Sequence, residues 1–187
     1  MDRKDVVFVL DSSASVGKDN FKYMLDFAAA LVEEVGGMSN EHRFSLITYS
    51  TEVNLIFSLG RYWNTDQTTK AILSTRYTPG STNTAGGLRT AKDVFSNGYG
   101  GRYSAEDVVI LLTDGESNVN SEDTIPAAEA LKKDGVKIIT VGIGLTDLDE
   151  VQAIASSDRD VFQAKDFRAL KDIRTDISTN SCRRNGS

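Results

Sequence analysis

Two short runs of purely apolar residues constrain the fold of this chain more than any other feature. Val6–Leu10 reads VVFVL and Val108–Leu112 reads VVILL, with no polar residue in either run. A strand exposed on one face would alternate polar and apolar residues, whereas a strand covered on both faces is apolar throughout. Both runs are therefore predicted to be central strands of a parallel sheet that helices cover on both faces.

Segments with helical periodicity alternate with the predicted strands. Apolar residues between Phe21 and Val35 recur every three or four positions, which predicts an amphipathic helix over residues 17–35. Residues 44–49 and 53–57 are rich in β-forming residues and flank a short polar stretch, which predicts an antiparallel hairpin. The other predicted strands are 136–143 and 160–162, and the other predicted helices are 68–73, 84–95, 121–133, 147–155 and 167–177.

This order of elements predicts an α/β fold. The sheet is expected to be doubly wound, six-stranded and mostly parallel, with one antiparallel edge strand and helices on both faces. At 187 residues the chain has the length of one domain, and we interpret 1–187 as a single domain with a core over about 4–178 and a tail over 179–187.

Charge and hydropathy limit the possible partners. The chain has 21 basic and 27 acidic residues and a net charge of −6, which argues against binding to nucleic acid. No apolar run approaches the roughly 18 residues that a membrane helix needs, so we expect no membrane insertion.

Oxygen-bearing side chains follow both apolar strands at the point where each strand ends. Asp11, Ser13 and Ser15 follow the first strand in D-x-S-x-S spacing, and Asp114 follows the strand at 108–112. Thr82 lies in a hydroxyl-rich loop, STNT, that leads into a predicted helix. Ligands of open parallel sheets bind at the carboxyl ends of the strands, and carboxylate and hydroxyl oxygens suit Mg²⁺, Mn²⁺ or Ca²⁺.

Each of these segments also has an ordinary structural interpretation. An Asp or Ser ahead of a helix is most often an N-cap, and a lone T-D-G is most often a turn. Three coincidental caps at one edge of a sheet are much rarer than one, so the combination favours a cation site.

The same segments resemble the von Willebrand factor A family. The resemblance rests on VFVLDSSAS ending at Ser15, GSTNTA around Thr82 and LLTDGES around Asp114, and it extends over residues 4–178. It implies a Rossmann-like sheet of strand order 3-2-1-4-5-6. The sequence departs from the family at Ala14, where glycine is common, and a small residue is expected to be tolerated there.

The resemblance also implies a metal-ion-dependent adhesion site. Asp11, Ser13 and Ser15 would be ligands from the first loop, Thr82 the ligand from the second, and Asp114 the ligand from the third, often through water. A carboxylate of a partner protein completes the coordination in this family. The expected cofactor is Mg²⁺, with Mn²⁺ or Ca²⁺ as substitutes.

The function implied is that of an extracellular adhesion or matrix-assembly module, secreted into the matrix, that binds a protein ligand such as a collagen-like chain. An alternative is an architectural domain of a matrix, thread or biomineral protein whose metal site is not used for partner binding. An enzyme is not expected, because phosphatases and dehalogenases with an aspartate at this strand end carry a second aspartate where this chain has Ser13.

Five further residues are candidates for supporting roles. Glu116, Ser117, Tyr49 and Ser50 are predicted to lie behind the ligands or on the rim of the site, because they end strands or follow Asp114. Cys182 is the single cysteine. The family often pairs a cysteine at this position with one ahead of the first strand, which implies a disulfide with a residue outside this sequence.

Overall fold

A computed structural model describes residues 3–36 and 41–183. Six strands form one sheet in the order β3-β2-β1-β4-β5-β6. All neighbouring pairs are parallel except β2 and β3, which are antiparallel. The predicted fold class and strand order are both confirmed. The strands are β1 (Lys4–Asp11), β2 (Arg43–Tyr49), β3 (Val53–Phe57), β4 (Glu106–Thr113), β5 (Lys137–Ile143) and β6 (Val161–Ala164).

In the described part of the chain, six α-helices cover the two faces of this sheet. Helices α1, α2 and α6 pack on one face, and α3, α4 and α5 pack on the other. Alternate residues of β1 supply the two cores, since Phe8 belongs to the first core and Val9 to the second. The helices are α1 (Lys18–Gly36), α2 (Thr65–Leu73), α3 (Thr84–Val94), α4 (Thr124–Lys133), α5 (Asp149–Ile154) and α6 (Leu170–Ser181).

The topology places a switch point at the end of β1. The chain leaves β1 toward β2 on one side and returns to β4 on the other side. Loops that leave the carboxyl ends of β1 and β4 therefore diverge and open a crevice beside Asp11. No helix among the described residues is long and apolar enough to cross a membrane.

Helix α6 differs most from its predicted bounds, since it begins at Leu170 and continues to Ser181 instead of spanning 167–177. Its last turn is polar but buried. The Asn180 side chain donates to the Arg159 carbonyl at 2.8 Å, and the Lys137 ammonium donates to the Asn180 carbonyl at 2.6 Å. These tertiary hydrogen bonds extend the helix beyond the last apolar position of its sequence pattern.

The helix predicted over 121–133 also begins later than expected. Residues Ser121–Asp123 form a 3-10 turn, and α4 begins only at Thr124. Asn120 stands before that turn in the left-handed region, with φ of 50°. Its conformation redirects the chain before the α-helix can start.

A buried ion pair closes the amino end of the sheet. The Asp5 side chain is fully buried, and it accepts hydrogen bonds from the Arg102 backbone N–H, Nε and one terminal nitrogen at 2.8, 2.9 and 2.8 Å. The carboxylate has no access to water, so it needs a charged partner within the protein. Among the described residues, Arg102 is the only cation at ion-pair distance from it.

Replacing Arg102 with methionine leaves the Asp5 charge buried and unpaired. We expect Arg102→Met to lower the free energy of unfolding by about 3 kcal/mol. The matched control is Lys70→Met, which removes the partner of Asp66 in a pair whose side chains are both 76% exposed, and it should lower the value by less than about 0.5 kcal/mol. Urea denaturation measures both, and equal losses would contradict the assignment.

Candidate metal centre

The carboxylate of Asp11 is fixed between the ends of β1 and β4. The residue is fully buried, and its Oδ1 accepts the Ser13 N–H at 2.8 Å. Its Oδ2 accepts the Thr113 hydroxyl at 3.1 Å and the Asp114 N–H at 3.4 Å. Three donors from two loops therefore hold both oxygens in place.

A row of side-chain oxygens extends to the surface from Ser13, the residue whose N–H binds this carboxylate. The Ser13 and Ser15 hydroxyl oxygens are 3.1 Å apart, and the Ser15 hydroxyl donates to Asp114 Oδ1 at 3.0 Å. Ser13 is buried whereas Ser15 is exposed, so the row opens to solvent at Ser15. Residues that lie 99 positions apart in the chain thus form one cluster of oxygens.

Thr82 is held beside this cluster by its backbone. Its N–H donates to the Asn118 side-chain oxygen at 2.8 Å, and its carbonyl accepts the backbone N–H groups of Asn118 and Val119 at 3.0 and 3.1 Å. The Ala14 N–H donates to the Gly80 carbonyl at 2.8 Å, which ties the Thr82 loop to the first loop. Among the described residues, no hydrogen bond joins the Thr82 hydroxyl to the other four predicted ligands.

The first loop is supported from below by two side chains that the sequence analysis missed. The Ser12 hydroxyl donates to the carbonyls of Tyr49 and Thr78 at 3.1 and 3.2 Å. The Tyr77 hydroxyl donates to the Ser13 carbonyl at 2.7 Å and accepts the Gly17 N–H at 3.1 Å. Nothing in the sequence marks Tyr77 for this role, because its partners lie about 60 positions away.

Thr113 and Asn118 were also missed, although their positions gave a signal. Thr113 ends a buried strand directly before Asp114, where a hydroxyl can reach the neighbouring strand end, and it donates to Asp11. Asn118 lies four residues beyond Asp114 and its side chain anchors Thr82. Both residues position ligand candidates without belonging to the predicted set.

The four predicted supporting residues have different outcomes. Tyr49 and Ser50 are 0% and 3% exposed, so of the two predicted positions the rim is excluded and a position behind the ligands stays the prediction. The Tyr49 side chain at the end of β2 points into the core, and its hydroxyl lies 3.4 Å from the Leu112 carbonyl, beneath the loops. Ser117 is also buried, and its N–H and hydroxyl donate to the Glu150 carboxylate at 2.9 and 2.7 Å. Glu116 is exposed, and Asp147 raises the pKa of its carboxyl.

The negative charges of Asp11 and Asp114 in this cluster have no positive side chain beside them in the described part of the chain. Partial burial and the Asp11 carboxylate raise the pKa of Asp114 to about 6, while the hydrogen bond from Ser15 opposes that rise. Among residues 3–36 and 41–183, no Lys, Arg or His forms an ion pair with Asp11 or Asp114. Two carboxylates with hydroxyls and no cationic side chain are a donor set that fits a hard dication.

Hydroxyls are essential to this fit. The described residues contain no group of three or more His, Cys, Asp or Glu side chains that could hold a metal. A cation bound here would therefore depend on Ser13, Ser15 and Thr82 together with the two carboxylates. Such an oxygen-only set is poor for soft metals.

A family model described as the von Willebrand factor type A domain matches residues 5–176. The chain belongs to this family. The match covers the sheet except for Lys4, both loops that carry the oxygen row, and α6 as far as residue 176. The resemblance stated from the motifs is confirmed.

Relatives of this von Willebrand factor type A domain include collagen and integrin chains. The chain is 31% identical to the human collagen alpha-6(VI) chain over 95% of its own length and 8% of that protein. It is 32% identical to mouse integrin alpha-X over 93% of its own length and 15% of that protein. The domain thus spans less than a fifth of each of these relatives, which belong to matrix and adhesion proteins.

Solved structures of proximal thread matrix protein 1 from the mussel byssus share the fold. One superposes with a TM-score of 0.90 and 27% identity, over 97% of this chain and 48% of that chain. Another, with a TM-score of 0.89 and 27% identity over the same shares of the two chains, has zinc in its MIDAS motif, the metal-ion-dependent adhesion site.

The raised pKa of Asp114 predicts how stability depends on pH when metal is absent. The folded pKa of about 6 exceeds the ordinary value of 3.8, so the folded state binds more protons than the unfolded state between these values. Stability should therefore fall as pH rises from 3.8 through 6. Because the carboxyl is only partly buried, we expect a loss on the order of 1 kcal/mol.

Asp114→Asn removes this titration while keeping the shape of the side chain. Urea unfolding in EDTA, repeated across this pH range, should show the loss in the wild type and a flatter profile in the variant. If stability depended on pH in the same way in both proteins, the raised pKa of Asp114 would be refuted.

Proposed function

We propose that this domain is an extracellular adhesion or matrix-assembly module that binds a protein ligand through a divalent cation. The observation that carries the proposal is the row of oxygens that joins Ser13, Ser15 and Asp114 and opens to solvent. The backbone N–H groups of Ser13 and Asp114 tie this row to the Asp11 carboxylate. The cation would supply a bridge to a carboxylate of the partner.

In this proposal, the charged carboxylates and the neutral hydroxyls contribute differently to binding the cation. Asp11 and Asp114 supply two negative charges, which would balance one dication. Ser13, Ser15 and Thr82 would add neutral oxygens without further charge, so that a carboxylate from outside remains favourable. The open end of the row at Ser15 gives that carboxylate access.

We propose Mg²⁺ as the cation, with Mn²⁺ or Ca²⁺ as alternatives, because every donor is a hard oxygen. The zinc in the MIDAS motif of the mussel thread protein supports a dication at this position of the fold. Zinc belongs in the same titration, since divalent zinc binds nitrogen and oxygen sites more tightly than most lighter first-row metals.

The relatives support a location and a class of partner. Because they are collagen and integrin chains and a byssal matrix protein, we propose secretion into an extracellular matrix. A collagen-like protein that offers an acidic side chain is the proposed partner. Cys182 is half-buried at the end of α6, and its proposed disulfide partner lies outside this sequence.

Removing one carboxylate tests the metal assignment. We expect Asp114→Ala to weaken Mg²⁺ binding by at least about tenfold in calorimetric titration. The fold should be retained, because loss of one carboxylate relieves repulsion with Asp11. Asp172→Ala is the control, since Asp172 is exposed on α6 and forms no ion pair with a described residue. Equal Mg²⁺ affinity in wild type and Asp114→Ala would refute the site.

A second measurement tests whether partner binding uses the site. Binding of the domain to immobilised collagen is expected in Mg²⁺ and not in EDTA. The double variant Ser13→Ala and Ser15→Ala should lose this binding, because two hydroxyl donors are removed without a change of charge. Binding that persists unchanged in EDTA and in the variant would favour an architectural domain instead.

A further inference from the structure

A cavity of about 740 Å³ opens at the amino end of the sheet, opposite the oxygen row. We call it the lower cavity. The start of β4, the end of α3 and the turn after α4 contribute to its walls. The lining residues that matter here are Phe95, Tyr103, Asp107, Val108 and Asp134.

Asp107 is the unusual residue of the lower cavity. One of its carboxylate oxygens is completely enclosed and has no hydrogen-bond partner among the described residues. Asp107 lies opposite Asp5 in the register of β1 and β4, so both side chains point to the same face of the sheet. Arg102 binds Asp5 through three hydrogen bonds and leaves Asp107 without a cation.

Three nearby lysines have other partners, and Arg183, which also lines the cavity, forms no ion pair with Asp107. The Lys137 ammonium donates to the carbonyls of Asn180 and Arg183 at 2.6 and 3.1 Å. Lys92 lies 3.7 Å from Asp134, and Lys4 pairs with Glu106. No basic side chain in the described part of the chain is within ion-pair distance of Asp107.

An unpaired carboxylate in such a place is unfavourable when ionised. Burial, and then the charges of Asp5 and Asp134, raise the pKa of Asp107 to about 7. A cation bound to this carboxylate would offset the cost of burying its charge. It would also offset the repulsion from the two neighbouring acids.

We propose that the lower cavity is a binding site for an organic monocation on a short apolar stem. The class is an alkylammonium or alkylguanidinium group, which is the chemistry that ends a lysine or arginine side chain. The Asp107 carboxylate binds the charge through the oxygen that is not enclosed, and Phe95 and Tyr103 contact the stem. The inference is independent of the metal site at the opposite end.

The lining favours an organic cation over a metal ion. Only one unpaired carboxylate faces the space, and the described residues hold no cluster of three metal-binding side chains. A cavity of about 740 Å³ is far larger than a single ion requires, and two of its lining residues, Phe95 and Tyr103, are aromatic. Aromatic rings attract alkylated cations through both their faces and their apolar area.

Small cations test the proposal directly. Ethylguanidinium and n-butylammonium are titrated into the domain in EDTA, and the backbone amide shifts of Asp107, Val108 and Gly135 are followed by NMR. We expect saturable shifts confined to the lower cavity, together with a fall in the pKa of the Asp107 carboxyl. N-ethylurea has the shape of ethylguanidinium without its charge and should produce no saturation.

Asp107→Asn supplies the matched variant. It should weaken binding of the cations by about tenfold or more, the loss expected for one charge-assisted hydrogen bond. Asp172→Asn makes the same change of net charge on an exposed surface and should leave the affinity unaltered. Thermal unfolding shows whether Asp107→Asn is folded.

Three results would overturn the proposal: no saturation with either cation, equal binding of N-ethylurea, or full affinity in Asp107→Asn. The wild-type titrations decide the question even where a variant fails to fold. A blocked Gly-Gly-Arg-Gly-Gly peptide distinguishes the source of the cation. Tighter binding of the peptide assigns the cavity to a protein side chain, and tighter binding of ethylguanidinium assigns it to a small molecule.

Discussion

The Asp11 carboxylate joins the ends of the two central strands, and the upper site is arranged around it. Its oxygens accept hydrogen bonds from Ser13, Thr113 and Asp114, so the loops after β1 and β4 are fixed relative to each other. The residue has no exposed surface, and a second carboxylate lies beside it. The sheet therefore holds two like charges together at the point where its topology opens a crevice.

Three aspartates of this chain with buried carboxylate oxygens differ in the partners that surround them. Asp5 has a guanidinium partner that satisfies both of its oxygens. Asp11 has hydrogen-bond donors but no cation among the described residues. One enclosed oxygen of Asp107 has no donor there, and the carboxylate forms no ion pair with a described residue. The first arrangement stabilises the fold, whereas a group whose charge is left uncompensated in a cleft is typical of a binding site.

Much of the fold could be predicted because the apolar pattern is strong. The runs VVFVL and VVILL are too apolar for an exposed strand. In the predicted hairpin, β3 begins and ends at the predicted residues. The end of α6 could not be predicted, since Asn180 and Ser181 are polar and their burial depends on Lys137 and Arg159. A local pattern contains no information about partners that approach from another element.

For the site, the pattern of residues along the chain was enough to identify the oxygen-bearing side chains at the strand ends. The tertiary structure decided which of them meet: Ser15 reaches Asp114 across 99 positions, whereas the Thr82 hydroxyl has no hydrogen bond to the described members of the row. It also buried Tyr49 and Ser50. The physical reason is that residue type and strand position are local properties, but a hydrogen bond between loops depends on how distant segments pack.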